Sequence, residues 1–405
     1  MFHPIRLLYL TASFFCGLSF AFMFPLISLY LVEELGASPL EMGLFLAIQV
    51  LTGVLVSTKI GKYSDAGWSR KHIIAVSQLS FAAALLVFIF TRNYYAALAA
   101  SVFLMSIGSA TLPQMFTLGR FYSDNVIKSN GDLFMSLLRA AIAVAWVIGP
   151  PLAFMIKDHL GFSYAFTMAI IAALIMVGIV FFLPEYRANA TTPEQQTRRL
   201  KWHRTPSIFF YLLACLFMFS ASYMYNTTIP LYITKELLLS SQWAGYLMGT
   251  AAFLEIPFMI LAGIYGARLG YKRLLYVGLF SGLVFYAGLL MSNNLVILMA
   301  LQLFNGIFIA IISTLGMILI QDMMKHEMGS ATTLFNSAQM LSALVGSLLV
   351  GVTAQFISYY AVFVVAIVLI VLAMLSLLMM RDVAAIKTDQ LSASNSTRKP
   401  LMGAI

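Results

Sequence analysis

The sequence predicts an all-α membrane protein of twelve transmembrane helices, arranged as two pseudo-symmetric halves of six helices each. Three observations predict this fold class: the composition, the number of long apolar stretches and an internal repeat. Hydrophobic residues make up 61% of the 405 residues, charged residues only 10%, and the mean hydropathy is +0.92. Because soluble domains carry about 25% charged residues, the composition excludes a soluble protein and indicates helices that are apolar all round.

Twelve stretches of the chain are long enough to cross a bilayer, which takes about 20 apolar residues. They are too long for the strands of a membrane barrel, so they favour a helical bundle. The predicted spans cover residues 5–33, 40–60, 72–91, 94–118, 132–156, 162–183, 207–233, 241–266, 274–291, 294–320, 330–356 and 360–380.

One turn pattern occurs twice, 202 residues apart. GKYSDAGWSRK at 61–71 aligns with GIYGARLGYKR at 263–273, and LYLVEELGAS at 29–38 aligns with LYITKELLLS at 231–240. The same offset pairs Gly43 with Gly245. A single register over two spans and their connections indicates a duplicated unit, and many transporters build a central site from such repeats.

The polar stretch between Pro184 and Pro206 separates six spans from six and is the predicted boundary between the halves. The predicted organisation is an N-terminal half at 1–183, a linker at 184–206, a C-terminal half at 207–381 and a disordered tail at 382–405. The first apolar stretch lacks an A-x-A-like cleavage site and is long for a signal peptide, so we expect a retained helix.

Lysine and arginine are distributed asymmetrically along the chain, whose net charge is +9. With the N-terminus inside, 20 of the 24 fall on the cytoplasmic side; Arg92, Lys157 and Lys235 fall outside, and Arg139 lies within a span. This positive-inside bias predicts cytoplasmic termini and accounts for the charge without nucleic acid as a partner. Both cysteines lie in spans, so no disulfide framework is expected.

Polar side chains are confined to particular spans. Spans 6, 9 and 12 contain no amide, acidic, basic or imidazole side chain. Spans 2, 4, 5, 7, 8, 10 and 11 carry Gln49, Gln114, Arg139, Asn226, Glu255, Gln302, Asn305, Asn336 and Gln339. Because intramembrane polar groups face a bundle interior or a wet cavity, we expect every third helix to face lipid and both halves to line a central cavity.

The repeated turn resembles the loop between helices 2 and 3 of the major facilitator superfamily, usually Gly-x-x-x-Asp-basic-x-Gly-Arg-basic-basic. The first copy matches at Gly61, Asp65, Arg70 and Lys71, and the second at Gly263, Arg268, Gly270, Lys272 and Arg273. Ala66, Trp68 and Ala267 depart from the pattern. The resemblance implies a latch between helix ends in the outward-facing state; solvated charges at a turn are the alternative.

Longer strings resemble the bacterial sugar efflux transporters of this superfamily: LPQMFTLGRFYSDN at 112–125, AWVIGPPLAFM at 145–155 and MGTAAFLEIPFMILAG at 248–263. The resemblance covers nearly the whole chain. It implies proton-coupled efflux of sugars and glycosides, such as lactose, glucose or thio-galactosides, across a bacterial inner membrane by a monomer without a cofactor. Gly149 and Pro150 resemble the helix-5 motif of superfamily antiporters, which bends the helix; a simple proline kink is the alternative.

Two charged residues lie deep within spans. Glu255 is about 16 Å and Arg139 about 12 Å from the cytoplasmic end of its span. A lone carboxylate there costs about 2.5–3.5 kcal/mol, and protonation removes that cost, which suits a proton-coupled carrier. Because helices 5 and 8 face each other in the superfamily fold, we hypothesise that the two residues form an ion pair in one state. The alternative is that each bonds to a local neighbour.

Amide and aromatic side chains within the spans are the predicted sugar contacts. Amides offer donors and acceptors that match hydroxyl groups, and sugar faces stack on aromatic rings. The predicted contacts are Gln49, Gln114, Asn226, Gln302, Asn305, Asn336, Trp146 and Tyr225. Hydrogen bonds between helices are the alternative role for these amides.

The sequence leaves one rival function open, a proton-coupled multidrug exporter of the same fold. The 24 Met and 32 Phe residues favour it, since aromatic and Met-rich cavities suit cationic drugs. An enzyme is not expected because no catalytic constellation, metal-ligand spacing or phosphate-binding loop is found. A membrane sensor would need a soluble output domain, which the sequence does not contain.

Overall fold

The computed structural model describes residues 4–127, 131–185 and 206–380 of the chain. Most of the predicted linker at 184–206 and the whole predicted tail at 382–405 lie outside the described residues. The helices, contacts and cavities counted for the structure are those within these ranges.

Twelve helices are long and apolar enough to cross a membrane, which confirms the predicted fold class. We number them in chain order: α1 Pro4–Glu33, α2 Pro39–Asp65, α3 Arg70–Phe90, α4 Tyr94–Ile127, α5 Leu133–Leu160, α6 Phe162–Phe182, α7 Pro206–Glu236, α8 Gln242–Gly266, α9 Tyr271–Met291, α10 Leu295–Met323, α11 Met328–Phe356 and α12 Tyr359–Met379. We refer to α1–α6 as the N-terminal half and to α7–α12 as the C-terminal half.

Several helices run past the predicted spans. Helix α2 continues to Asp65 and α4 to Ile127, beyond the predicted ends at residues 60 and 118. Hydropathy marks only the part of a helix that must lie in hydrocarbon, whereas the backbone hydrogen bonds continue through polar residues. The start of α2 is better defined, because Ser38 and Glu41 form a capping box there.

Two helices of the N-terminal half are interrupted, and neither interruption was predicted from the sequence. Helix α1 consists of Pro4–Met23 and Ile27–Glu33, with Pro25, which has no N–H to donate, between the segments. Helix α4 contains a π-helical segment at Ser101–Met105 and a turn at 109–110. Irregular backbone at membrane depth is tolerated only where protein or a cavity surrounds it.

The helix packing repeats between the halves. In the N-terminal half, α1 packs on α5 and α6, and α3 packs on α4 and α6; α7 packs likewise on α11 and α12, and α9 on α10 and α12. The halves meet mainly through two pairs, α2 with α11 and α5 with α8. The predicted pseudo-symmetry is therefore present in the packing.

Glycines allow the closest approach between the halves. A Cβ atom placed on Gly43 of α2 would lie 2.6 Å from the Cα of Gly351 in α11, and one placed on Gly245 of α8 would lie 2.8 Å from the Pro150 carbonyl oxygen in α5. Gly43 and Gly245 are the two glycines that the 202-residue repeat pairs. A side chain does not fit at either glycine, so α2 and α11 pack backbone against backbone, and α8 packs its glycine against the backbone and side chains of α5.

A shared carboxylate joins the halves at the same end of the bundle through an ion pair. The Lys157 ammonium of α5 lies 2.9 Å from the Glu33 carboxylate of α1, and the Lys235 ammonium of α7 lies 3.3 Å from the same carboxylate. Glu33 is thus shared by one cation from each half, with only a fifth of its side chain exposed.

The Asp158 carboxylate makes further bonds between the halves. It accepts hydrogen bonds from the Ser240 and Ser241 hydroxyls, both at 2.6 Å, and from the Gln242 backbone N–H at 3.0 Å. We call this end of the bundle, which carries the connections at 34–38 and 237–241, the closed end.

The opposite end carries the repeated turns at 61–71 and 263–273, and we call it the open end. A Cβ atom placed on Gly61 or Gly263 would have no neighbour within 4 Å, in contrast to Gly43 and Gly245. Arg139, near this end of α5, is exposed. The helices that pack tightly at the closed end therefore separate towards the open end.

A Gly43→Val substitution is expected to force the closed end apart. The added side chain meets the Gly351 backbone, and overpacking of this kind costs about 1–3 kcal/mol, which shifts a two-state equilibrium by about 5- to 150-fold. A thiol introduced into the central cavity by Asn226→Cys should then react faster with an impermeant maleimide added on the closed-end side of sealed vesicles. Cys16 and Cys215 are buried and give little background.

Gly178→Val in α6 is the matched control, because no atom lies within 4 Å of a Cβ placed there. Equal labelling of the Gly43→Val and Gly178→Val proteins would contradict a closed end held by the glycine contact.

Candidate functional site: a central cavity between the halves

A cavity of about 560 Å³ lies between the halves. Helices α1, α2, α4 and α5 line it on one side, and α7, α8 and α11 on the other. None of the described residues that line it is charged. Its size is in the range of small-molecule binding sites, and no group of His, Cys, Asp or Glu side chains among the described residues is arranged to hold a metal ion.

Both interrupted helices of the N-terminal half reach this cavity. Phe24 and Pro25 come from the break in α1, and Met105 and Ser109 from the irregular part of α4. The irregular backbone lies where a cavity accommodates it, as in transporters that bind substrate at discontinuous helices. The breaks therefore make this cavity the candidate substrate site.

Four of the eight predicted sugar contacts line the cavity: Gln49, Trp146, Asn226 and Asn336. Asn226 and Asn336 are exposed, and no hydrogen bond ties up their amides within the described part of the protein. Gln49 directs its amide nitrogen to the Met105 sulfur at 2.7 Å. Tyr223, an aromatic residue available in the same span as Asn226, also lines the cavity.

The other four predicted contacts lie in buried interhelical networks. The Tyr225 hydroxyl of α7 donates to the Gln302 side-chain oxygen of α10 at 3.1 Å, and the Asn305 amide donates to the same oxygen at 3.1 Å. Gln114 of α4 accepts a hydrogen bond from Ser64 of α2 at 2.7 Å. In this conformation these four side chains join helices and do not face the cavity.

Gln339 is a cavity residue that the predicted contacts omitted. It lines the cavity on α11, three residues after Asn336. Residues three apart share a face of a helix, so the spacing to Asn336 was the signal that could have identified it. The lining residues Phe20, Phe24 and Met248 had no such signal, because apolar residues are common throughout the spans.

Glu255 and Arg139 do not line the cavity, but each lies on the same helix as a lining residue and closer to the open end. Glu255 follows Met248 by seven residues on α8, and Arg139 precedes Trp146 by seven on α5. Seven residues make two turns, or about 10.5 Å, on the same helix face. Both charges therefore lie towards the open end, on the two helices that pair across the halves.

The two charges form no ion pair with each other in this conformation. The Arg139 guanidinium lies over the Phe116 ring of α4, at 5.9 Å from its centroid. No described side chain donates a hydrogen bond to the Glu255 carboxylate, and the backbone beside it packs on Gly306 of α10. The hypothesised pair remains a prediction for the state in which the open end closes.

Latch residues of the first turn make contacts within their own half. The Arg70 guanidinium lies 3.3 Å from the exposed Asp65 carboxylate and stacks over the Phe121 ring at 4.6 Å. Lys71 donates to the Phe181 carbonyl at the end of α6 at 2.8 Å.

The second turn repeats one of these contacts. Lys272 donates to the Met380 carbonyl at the end of α12 at 2.6 Å. Cations stabilise helix C-termini, so Lys71 stabilises the end of α6 and Lys272 stabilises the end of α12. Arg268 is exposed beside the open space around Gly263. The predicted latch between helix ends remains a prediction for the outward-facing state.

Gly149 and Pro150 lie within a helix that continues to Leu160. A Cβ atom on Gly149 would lie 2.5 Å from the Ala21 Cβ in α1, and Pro150 packs on Gly245. The segment therefore packs tightly against both halves, whereas its predicted role as a bend remains a prediction.

Comparison with known proteins places these features in a family. The family model of the Major Facilitator Superfamily matches residues 9–295 and 211–403. The chain is 37% identical over 358 residues to sugar efflux transporter A of Escherichia coli (strain K12), covering 88% of this chain and 91% of the relative. It is 34% identical to sugar efflux transporter C of the same strain, covering 89% and 93%. These are named transporters, which confirms the prediction of a carrier and not an enzyme.

Solved structures share the fold at low sequence identity. The crystal structure of the nucleoside transporter NupG has a TM-score of 0.79 at 15% identity, covering 94% of this chain and all of that chain. A bacterial homologue of the iron transporter ferroportin in an inward-facing state has a TM-score of 0.74 at 13% identity, covering 94% and 99%.

Substitution of Gln302 is expected to lower the stability of the protein, whereas substitution of Asn336 is not. The Gln302 amide is hydrogen-bonded to other side chains, and the Asn336 amide is not. Gln302→Leu leaves the Tyr225 hydroxyl and the Asn305 amide without their acceptor, at a cost of about 1–2 kcal/mol. Asn336→Ala leaves no partner unpaired. Thermal unfolding of the purified proteins in detergent should show a lower midpoint for Gln302→Leu only, and an equal loss in Asn336→Ala would contradict this division.

Proposed function

The chain belongs to the major facilitator superfamily, and we propose that it exports sugars and glycosides across a bacterial inner membrane in exchange for protons. Alternating access would carry the substrate, with the halves rocking around the central cavity. The observation that carries this proposal is an uncharged cavity with amide groups at membrane depth, in a chain similar to named sugar efflux transporters.

The chemistry of the cavity suits a neutral, hydroxyl-rich substrate. Asn226, Asn336 and Gln339 offer donors and acceptors without competing partners, and Trp146 offers a ring face for stacking. Unpaired amides at membrane depth are costly, and a bound sugar would satisfy them. Gln49 on the opposite wall directs its amide nitrogen to the Met105 sulfur instead.

The orientation follows from the charge distribution. The open end carries the basic turns at 61–71 and 263–273, as well as the ends of α1 and α12. By the positive-inside rule this end faces the cytoplasm, so the conformation accepts substrate from inside. Both termini are then cytoplasmic.

Glu255 is the proposed proton carrier. A carboxylate within the bilayer is favoured when it is protonated or paired. If the open end closes, α5 and α8 bring Arg139 to within about one turn of Glu255, judged from the register of Gly245 and Gly249 with Pro150 and Pro151. Such a pair would stabilise the outward-facing state, and protonation of Glu255 would release it.

The multidrug rival is less well supported by the cavity. A cationic drug would be expected to meet a carboxylate at its binding site, and no acidic side chain is among the described residues that line the cavity. Transport of a cationic dye serves as the test of this rival.

Replacing Glu255 by Gln should abolish coupling without preventing binding. In inside-out vesicles, wild-type protein should accumulate radiolabelled lactose or a thio-galactoside under an imposed pH gradient, and an uncoupler should collapse the accumulation. Glu255→Gln should lower the gradient-driven accumulation by about tenfold or more, as expected when a group that biases a two-state equilibrium is removed.

Glu34→Gln is the control for the same chemical change, since Glu34 pairs with Arg92 at the closed end. Uncoupler-sensitive accumulation by the Glu255→Gln protein would contradict the assignment of the carrier. Movement of a cationic dye in place of sugar by the wild-type protein would favour the multidrug function.

A further inference from the structure

The two walls of the cavity differ in their chemistry. Of the described residues that line it, sixteen belong to the N-terminal half and eight to the C-terminal half. Only four of the sixteen have polar side chains, whereas five of the eight do. Polar groups are therefore concentrated on the smaller wall.

The polar groups also differ in whether they are free to bind. In the N-terminal wall, the Gln49 amide nitrogen faces the Met105 sulfur at 2.7 Å, and the Ser109 hydroxyl donates to the Gly53 carbonyl at 2.9 Å. This wall keeps no unbonded amide nitrogen among its described residues; the Ser28 and Ser57 hydroxyls, the Gln49 side-chain oxygen and the Trp146 indole N–H remain. In the C-terminal wall, the amides of Asn226, Asn336 and Gln339 have no hydrogen-bond partner within the described structure.

The apolar groups show the opposite distribution. Phe20, Phe24, Leu46 and Trp146 all belong to the N-terminal wall, and Phe24 is 42% exposed beside the break in α1. Aromatic rings bind the C–H faces of sugars and apolar substituents, and they make no directional bond to an individual hydroxyl. Amides hold hydroxyls in fixed directions and reject a substrate that lacks one.

We infer that Asn226, Asn336 and Gln339 of the C-terminal half are the specificity-determining residues for the sugar hydroxyls, while the N-terminal half provides an apolar face for the C–H groups of the sugar. This inference rests on the proposed function and assigns the recognition of the substrate to one half. The sugar then stays with α7 and α11 while the halves rock.

The test measures whether each amide is coupled to a particular hydroxyl. Binding of methyl galactoside and methyl glucoside, and of the monodeoxy derivatives of each, is measured by calorimetry on the purified full-length protein. In wild-type protein, removal of a hydroxyl held by an amide should weaken binding about tenfold or more. In Asn226→Ala, Asn336→Ala or Gln339→Ala, the deoxy sugar that lacks the corresponding hydroxyl should lose less than about threefold, because the partner is already absent.

Gln49→Ala is the matched variant from the other wall, since it removes an amide from the same cavity. Its penalties for the deoxy sugars should equal those of the wild type, and Phe24→Ala should weaken all the sugars by a similar factor. Gln339→Met keeps the side-chain volume and should lose the deoxy-sugar penalty as Gln339→Ala does. That result would show that the loss comes from the missing amide and not from a packing defect.

Two results would overturn the inference, and they can be told apart. If the penalties disappear in Gln49→Ala and persist in all three C-terminal variants, the N-terminal half reads the hydroxyls, and the proposed function stands. If wild-type protein binds neither glycoside nor lactose, the proposed function fails, and the assignment of these amides fails with it.

Discussion

The packing of α2 on α11 and of α5 on α8 at one end of the bundle determines where the cavity lies and which way it opens. Gly43 and Gly245 let the backbones of the two halves approach to contact distance. Glu33 and Asp158 then hold the surrounding connections with bonds that cross between the halves. Helices joined so closely at one end must diverge towards the other, so the cavity opens where the basic turns lie.

The polar side chains within the spans fall into two groups with different physical tasks. Gln302 and Gln114 satisfy other groups inside a half and make each half rigid. Asn226 and Asn336 have no such partners and lie on the cavity. A rigid half with unsatisfied amides on one face can bind a polar substrate without rearranging its own core, which is the requirement for rigid-body motion around a bound molecule.

Much of the fold was predictable because the bilayer restricts what a chain can do. Hydropathy identified all twelve helices, and the 202-residue repeat identified Gly43 and Gly245 as equivalent positions, though not their contact between the halves. The interruption at Pro25 was missed, since an apolar stretch stays apolar whether or not its helix is continuous.

The candidate site was less predictable, for a related reason. A buried amide signals that a hydrogen bond is needed, but the residue type does not say which neighbour supplies it. Asn305 and Asn336 look alike in sequence, yet one faces Gln302 and the other faces the cavity. Helical spacing resolves part of this ambiguity, as Gln339 illustrates beside Asn336. The rest depends on contacts between helices far apart in the chain.

The glycine contact between α2 and α11 also means that movement and substrate selection depend on different atoms, so the two can change independently during evolution. In the proposed cycle the halves pivot on main-chain atoms, whereas the cavity that would select the cargo is formed by side chains on other turns of the same helices. Descendants of one ancestral carrier can therefore exchange cavity residues and acquire new cargoes while the mechanical cycle is inherited unchanged.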